Sequence, residues 1–238
     1  AASDNADPNP TVEYNPPSGS LFPVGDTEVT VIATDAAGNS DTCVFTVTVA
    51  EFDPSLVGYW KFDEGAGTTA ADSSGNGNTG TFISNPTWVE GINGKALRFD
   101  GLDDYINVPH SAVLSLTTEM TISAWVNRKT IEDHTFIVTK QPGPTPSPNY
   151  SGNYEFRIDS NQLYLNHEFG VWNISSYGSD VVSLPVNEWL HLTVTLVKGG
   201  NVTFYLNGQN MGTRPQSQVL MTNLEPLRIG ARKDGYYF

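Results

Sequence analysis

Seven consecutive residues, Asp72-Ser73-Ser74-Gly75-Asn76-Gly77-Asn78, crowd carboxylate, hydroxyl and amide oxygens together with two glycines. Glycine tolerates positive φ and Asx residues turn the chain locally, so such a run can aim several oxygens at one point. A Ca²⁺ ion, which takes roughly six to eight hard oxygen ligands, is what that point would suit. The candidate ligands are Asp72, Asn76 and Asn78, joined by Asp100 or Asp103 from the turn Phe99-Asp100-Gly101-Leu102-Asp103-Asp104, with backbone carbonyls completing the shell. The same residue types cap solvated turns through their own side-chain hydrogen bonds, and composition does not separate the two readings.

A second chemistry is stacking. Aromatic rings lie against the apolar faces of pyranoses while amides and guanidinium groups bond the hydroxyls. Tyr150, Tyr154, Tyr164, His167, Trp172, Tyr177, Tyr236 and Tyr237 supply the rings, and Asn166 to Tyr177 (NHEFGVWNISSY) mixes rings with amides. Phe169 and Trp172 are equally at home in a sandwich core, so the expectation attaches to the cluster and not to one residue. No catalytic set emerges. The acidic pairs Asp63/Glu64, Asp103/Asp104 and Glu132/Asp133 are sequence neighbours, which on a strand point to opposite faces, and His110, His134, His167 and His191 lack an HExxH spacing.

The elements that must position these residues are strands. Val57 to Asp63 alternates so that Trp60 and Phe62 share an inward face. Lys95–Phe99, Tyr105–Val108, Met120–Asn127, Phe136–Lys140, Tyr154–Asp159, Gln162–Asn166, Trp189–Val197, Asn201–Leu206 and Leu227–Ala231 follow with turn residues between them. Leu190, Leu192, Val194 and Leu196 alternate with His191, Thr193 and Thr195. No amphipathic helix longer than about three turns is present, so the chain is all-β. Pro142–Asn153 is a Pro/Ser/Gly-rich surface loop. Residues 1–51 form a separate small module, with strands at Thr27–Ala33 and Val44–Val49 flanking the turn Asp35-Ala36-Ala37-Gly38-Asn39. A short linker containing Pro54 leads to a second domain at residues 52–238.

Composition bounds the function. The 238 residues carry 12 Lys plus Arg against 26 Asp plus Glu, a formal charge of −14, so a nucleic-acid partner is not expected. No apolar run of membrane-spanning length occurs, so no membrane insertion is expected. The N-terminal AASDNADPNP lacks a secretory signal and reads as the start of a mature or excised piece. Cys43 is the single cysteine, which leaves no intrachain disulfide; it is read as a buried thiol in preference to the partner of an upstream cysteine.

VGYWKFDEGAGTTAADSSGNGNTGT (Val57–Thr81), GKALRFDG (Gly94–Gly101), DYI (Asp104–Ile106), TISAWV, NEWLHLTV and Leu206-Asn207-Gly208 resemble the bacterial laminin-G-like, concanavalin A-like lectin domains. SDN followed by PPSGSLFPVGDTEVTVIATDAAGNSDTCVFTVTV, from Ser3 to Val49, resembles the latter part of a HYR (hyalin-repeat) domain, with Ala6 where that family usually has a cysteine. The resemblances imply a partial immunoglobulin-like β-module followed by a β-jelly-roll sandwich. They also imply a structural Ca²⁺ near the Asp72 loop, carbohydrate binding and an extracellular or cell-surface location. The second family normally continues after GYYF with one more strand, which is expected to be missing here. Two functions follow. One is a non-catalytic carbohydrate-binding and adhesion module whose partner is a glycan or extracellular polymer. The other is a structural or adhesive repeat that contacts neighbouring protein modules instead of sugar.

Overall fold

A computed structural model describes residues 9–49, 51, 53–132, 134–141, 153–170, 173–181, 183–218, 220–232 and 238. The chain divides into two compact units, Ala1–Pro54 and Ser55–Phe238.

The first unit is a three-stranded antiparallel sheet of β1 (Thr11–Asn15), β2 (Gly25–Thr34) and β3 (Ser40–Val49), in that order. The β2–β3 turn is closed by Asp35, whose carboxylate accepts the Asn39 amide N–H and side-chain NH₂, each at 2.8 Å. Val29 is the sole buried apolar side chain among the described residues of this unit. A sheet this small buries little, which leaves Tyr14, Val44 and Phe45 exposed. Cys43 is exposed too, correcting the expectation of a buried thiol. It sits on β3 opposite Val31, with no apolar layer over it among the described residues.

The second unit is a sandwich. Its larger sheet has eight strands, in the order β13 (Asn173–Gly178), β12 (Gln162–Gly170), β11 (Tyr154–Asp159), β10 (Thr135–Thr139), β17 (Leu227–Ile229), β8 (Tyr105–Val108), β5 (Gly80–Ile83) and β4 (Thr69–Ala70). The smaller sheet has four, in the order β16 (Gln209–Pro215), β15 (Asn201–Leu206), β14 (Leu190–Val197) and β9 (Glu119–Val126), and β6 (Thr87–Glu90) pairs with β7 (Lys95–Arg98) alone. The period of two decides which side chains meet. Phe156, Ile158, Leu163, Leu165, Ile106 and Val108 from the large sheet form one cluster with Leu192, Val194, Leu196, Val202, Phe204 and Met120 from the small one. Each of these fully buried side chains contributes about 1.5–3 kcal/mol of transfer free energy. The Asn207-Gly208 turn between β15 and β16 takes positive φ at both residues (51° and 80°), as two-residue hairpin loops require.

The strand expected over Val57–Asp63 is not one. The segment makes a single bridge, Trp60 to Asp72, and Phe62 adopts a left-handed φ of 59°, which breaks the pleat. Trp60 and Phe62 nevertheless pack against the core as the alternation suggested. Beside this segment β9 pairs with β14 on one side only, among the described residues. A groove of about 2000 Å³ is lined by Val57–Asp63, by β9 and by Phe238.

Candidate functional site

Every second residue of β11 belongs to the core: Tyr154, Phe156 and Ile158. The alternate residues, Glu155, Arg157 and Asp159, therefore stand on the outer face of the eight-stranded sheet. Cross-strand register extends that face sideways. Ser176, Asn166, Glu155, Thr139, Arg228, Asn107 and Thr81 face one another in turn across seven strands, so one polar rank crosses almost the whole sheet. A second rank runs Gly178, Tyr164, Arg157 and Phe136.

Arg157 is the hub. Its guanidinium pairs with Glu155 and with Asp159 (2.8 Å), lies 5.2 Å from the centre of the Tyr164 ring and 6.0 Å from that of Phe136. Arg232 closes the group from the other side, 3.4 Å from Glu155 and 4.9 Å over Phe136. Glu155 is fully buried, which is tolerable only because Arg157, Arg232 and the Asn166 amide (2.9 Å) surround it. Burial alone would lower the Arg157 pKa, but the Asp159 and Glu155 carboxylates outweigh that and raise it. Burial works against the charged form of Asp159 too, yet the Arg157 guanidinium and the His134 amide hold its pKa below the ordinary range. Both carboxylates thus anchor one arginine and do not form an acid–base pair. Asn166 Oδ1 is buried and has no hydrogen-bond partner among the described residues. Gly178 makes room for Tyr164, since a Cβ there would sit 3.0 Å from the ring. The face therefore holds a fixed ionic cluster beneath a half-buried phenol ring.

Of the rings expected to meet sugar, only Tyr164 is on this face among the described residues. Tyr154 is 2% exposed and donates its hydroxyl to the Leu114 carbonyl at 3.0 Å; burial pushes its phenol pKa up. His167 is fully buried, stacked on Tyr177 at 5.5 Å. Both are corrections with one cause: Tyr154, His167 and Tyr177 share the strand phase of the core residues Phe156 and Leu165. Tyr150, Trp172, Tyr236 and Tyr237 lie outside the described residues.

The proposed metal ligands fall into two groups. Asp72 accepts hydrogen bonds from the amides of Tyr59 (3.0 Å), Ser74 (2.9 Å) and Asn78 (2.8 Å) and from the Ser74 hydroxyl (2.9 Å). Partial burial opposes its ionisation, but these donors outweigh that and lower its pKa. Asn76 and Asn78 give their NH₂ groups to the carbonyls of Leu56 and Val57. These three side chains tie the loop to the segment before it. Asp100, Asp103 and Asp104 form a different group, with ligand oxygens within 4.8 Å of one another. Asp104 Oδ1 is committed to the Asn85 amide, and Asp100 Oδ1 to the Leu102 amide, which chiefly accounts for a lowered Asp100 pKa. The Asp103 carboxylate accepts no hydrogen bond among the described residues, so the group retains hard oxygens suited to Ca²⁺.

Sequence comparison places this geometry. The profile of the concanavalin A-like lectin/glucanases superfamily matches residues 99–238. The chain belongs to that superfamily. Within this concanavalin A-like chain, residues 1–49 match the HYR domain. Among curated proteins none matches. Three solved structures share the fold. Domain 4 of AbnA, an extracellular GH43 arabinanase of Geobacillus stearothermophilus in complex with arabinotriose, is 21% identical, with a TM-score of 0.54 over 70% of this chain and 81% of its own. The binding domain of Paraclostridial Mosquitocidal Protein 1 is 18% identical (TM-score 0.53), and botulinum neurotoxin type C, whose cell entry depends on two ganglioside molecules, is 15% identical (TM-score 0.50). Each toxin match covers 71% of this chain and 43% of the toxin chain.

Sequence reasoning missed Glu155, Arg157 and Asp159, although their alternation with Tyr154, Phe156 and Ile158 was a readable signal. Arg232 joins them across 77 residues from Glu155, and no local pattern announces that. Lys140 was missed as well. It is fully buried with its ammonium on the Glu225 carbonyl (2.8 Å), Asn223 Oδ1 (2.9 Å) and His110 Nδ1 (3.2 Å), and burial lowers its pKa to about 8 against the smaller opposing effect of Glu225.

Proposed function

We propose that the chain is a non-catalytic carbohydrate-binding module, and that the outer face of its eight-stranded sheet carries the saccharide. The single observation behind this is the partly exposed Tyr164 ring laid against the Arg157 guanidinium, beside the polar rank through Asn166, Glu155, Thr139 and Arg228. Tyr164 offers a ring, and Asn166 and Arg232, both partly exposed, offer polar groups on the same face. Hydroxyl groups of a glycan match that set. Membership of a lectin superfamily, and the fold shared with an arabinanase domain that holds arabinotriose, support the reading. The partner is a glycan or extracellular polymer, met outside the cell or at its surface. Titration calorimetry against an oligosaccharide panel tests this: binding that weakens at least tenfold in Tyr164→Ala supports it, and a silent panel refutes it.

The Asp100, Asp103 and Asp104 group would hold Ca²⁺ as a structural ion, while Asp72, Asn76 and Asn78 organise a loop of their own. A rise in Tm on adding Ca²⁺, cancelled in Asp103→Ala, is the expected result. A second reading, a structural or adhesive repeat, is favoured by the HYR match at residues 1–49 and the exposed Tyr14, Val44 and Phe45 of that unit. That reading predicts self-association or matrix contacts with no response to any sugar.

A further inference from the structure

The outer face of the four-stranded sheet differs in kind from its counterpart. Its ranks can be read from the register. Trp125 faces His191; Ser123, Thr193, Tyr205 and Asn210 make the next rank; Thr121, Thr195, Thr203 and Thr213 make the third. No position in these three ranks is charged, in a chain that carries 38 charged residues other than histidine (12 Lys plus Arg and 26 Asp plus Glu), and the next rank, Val197 opposite Glu119, borders them with a carboxylate. The alternate residues of the same strands (Ile122, Ala124, Leu192, Val194, Val202 and Phe204) pack in or against the core, so this face points away from it.

The Trp125 ring is 50% exposed, an unusual position for the largest apolar side chain on a sheet that already has a core to join. It is held and not loose. His191 packs 4.9 Å away at a tilt of 42°, and the Ser123 hydroxyl bridges His191 Nε2 (2.7 Å) and Thr193 Oγ1 (3.0 Å). Thr203 and Thr213 are linked at 3.3 Å. Neighbouring strands lie about 4.8 Å apart, and along a strand the outward side chains recur every second residue, about 6.6 Å. The result is a flat lattice of neutral donors and acceptors with one fixed ring at its edge, bordering the groove beside β9.

We propose that this face is a second saccharide-binding surface, specific for an uncharged polysaccharide, with Trp125 and His191 stacking on a pyranose or furanose face and Ser123, Thr193 and Thr195 exchanging hydrogen bonds with ring hydroxyls. The occupant follows from charge. A charged polymer would gain nothing from ranks without ions, whereas a hydroxyl-rich neutral chain is complementary to hydroxyl ranks and loses no ion hydration on docking. The stacking ring supplies most of the affinity, and the hydroxyls supply orientation. The proposal is independent of the eight-stranded face, because the two surfaces lie on opposite sides of one core.

Affinity electrophoresis of the full chain in native gels cast with arabinan, xyloglucan, galactomannan or hydroxyethylcellulose tests it. The expected result is retardation by at least one of these polymers. That retardation falls at least tenfold in Trp125→Ala, is partly kept in Trp125→Phe, and is lost in Thr195→Arg, which plants a charge among the ranks. Melting curves matched to wild type show that each variant is folded. Any of these results overturns the proposal: retardation by none of the four polymers, retardation unchanged in Trp125→Ala, or retardation removed by Tyr164→Ala instead. The last assigns binding to the opposite sheet. A dimer in light scattering that Trp125→Ala dissolves also overturns it, making the face a contact between copies of the chain.

Discussion

The two outer faces of the sandwich solve the same problem of displaying polar groups in opposite ways. On the eight-stranded sheet Glu155, Arg157, Asp159 and Arg232 pair with each other and are largely buried, so the face is rigid, ionic and internally committed. On the four-stranded sheet Ser123, Thr193, Thr195 and Thr203 are neutral and less buried, and the exposed Trp125 is the feature with no structural need. Stability and recognition are therefore coupled differently on the two faces. Removing a partner from the ionic face strands a buried charge, while removing a hydroxyl from the neutral face lets water take its place.

The largest contrast is therefore in stability. Glu155→Ala leaves Arg157 and Arg232 without their shared carboxylate and is expected to cost about 3–5 kcal/mol in urea unfolding. Ser123→Ala on the other face should stay within about 0.5 kcal/mol. Equal losses would dissolve the distinction. Next comes Lys140, just past the end of β10 in the ionic sheet. Its ammonium is buried among carbonyls, so Lys140→Met orphans those acceptors at a cost of about 2–3 kcal/mol. Its folded pKa, about 8, lies below the ordinary 10.5, so between those values the unfolded chain binds more protons and stability rises with pH. Denaturant midpoints taken from pH 7 to pH 11 should climb through that window in wild type and stay flat there in Lys140→Met.

Asp72 carries a smaller term of the opposite kind. Its folded pKa lies below 3.8, so its stabilisation is complete above that value and is lost as pH falls through the folded pKa. Asp72→Ala should cost about 1–2 kcal/mol at pH 7 and flatten the acid limb of the stability profile. The smallest effect sharpens the comparison through salt. The partly exposed ends of the ionic face, Asp159 and Arg232, should lose part of their small stabilising effect as ionic strength rises, whereas retention through Trp125 should not change.

Much of the fold was legible because period-two alternation is a strong local signal. Tyr105–Val108, Tyr154–Asp159 and Asn201–Leu206 were bounded to the residue. Val57–Asp63 misled because its alternation is real while its backbone turns left-handed at Phe62, a decision made by packing and not by pattern. The short strands Thr69–Ala70 and Gly80–Ile83 carry too few residues to show a period. The site was less legible. Ring content pointed to β11–β13, but the strand phase sends Tyr154 and His167 inward, and phase shows only when the apolar partners on the same strand are counted with the rings. In the Asp72 loop, oxygen-rich composition suggests ligand supply but does not reveal that the backbone amides of Tyr59, Ser74 and Asn78 engage the Asp72 carboxylate.

The most direct test of saccharide binding on the eight-stranded face is titration calorimetry of wild type, Tyr164→Ala and Trp125→Ala against one oligosaccharide panel. At least one ligand is expected whose affinity drops tenfold or more in Tyr164→Ala and is unchanged in Trp125→Ala. A panel that gives no heat, or a ligand indifferent to Tyr164, would contradict it.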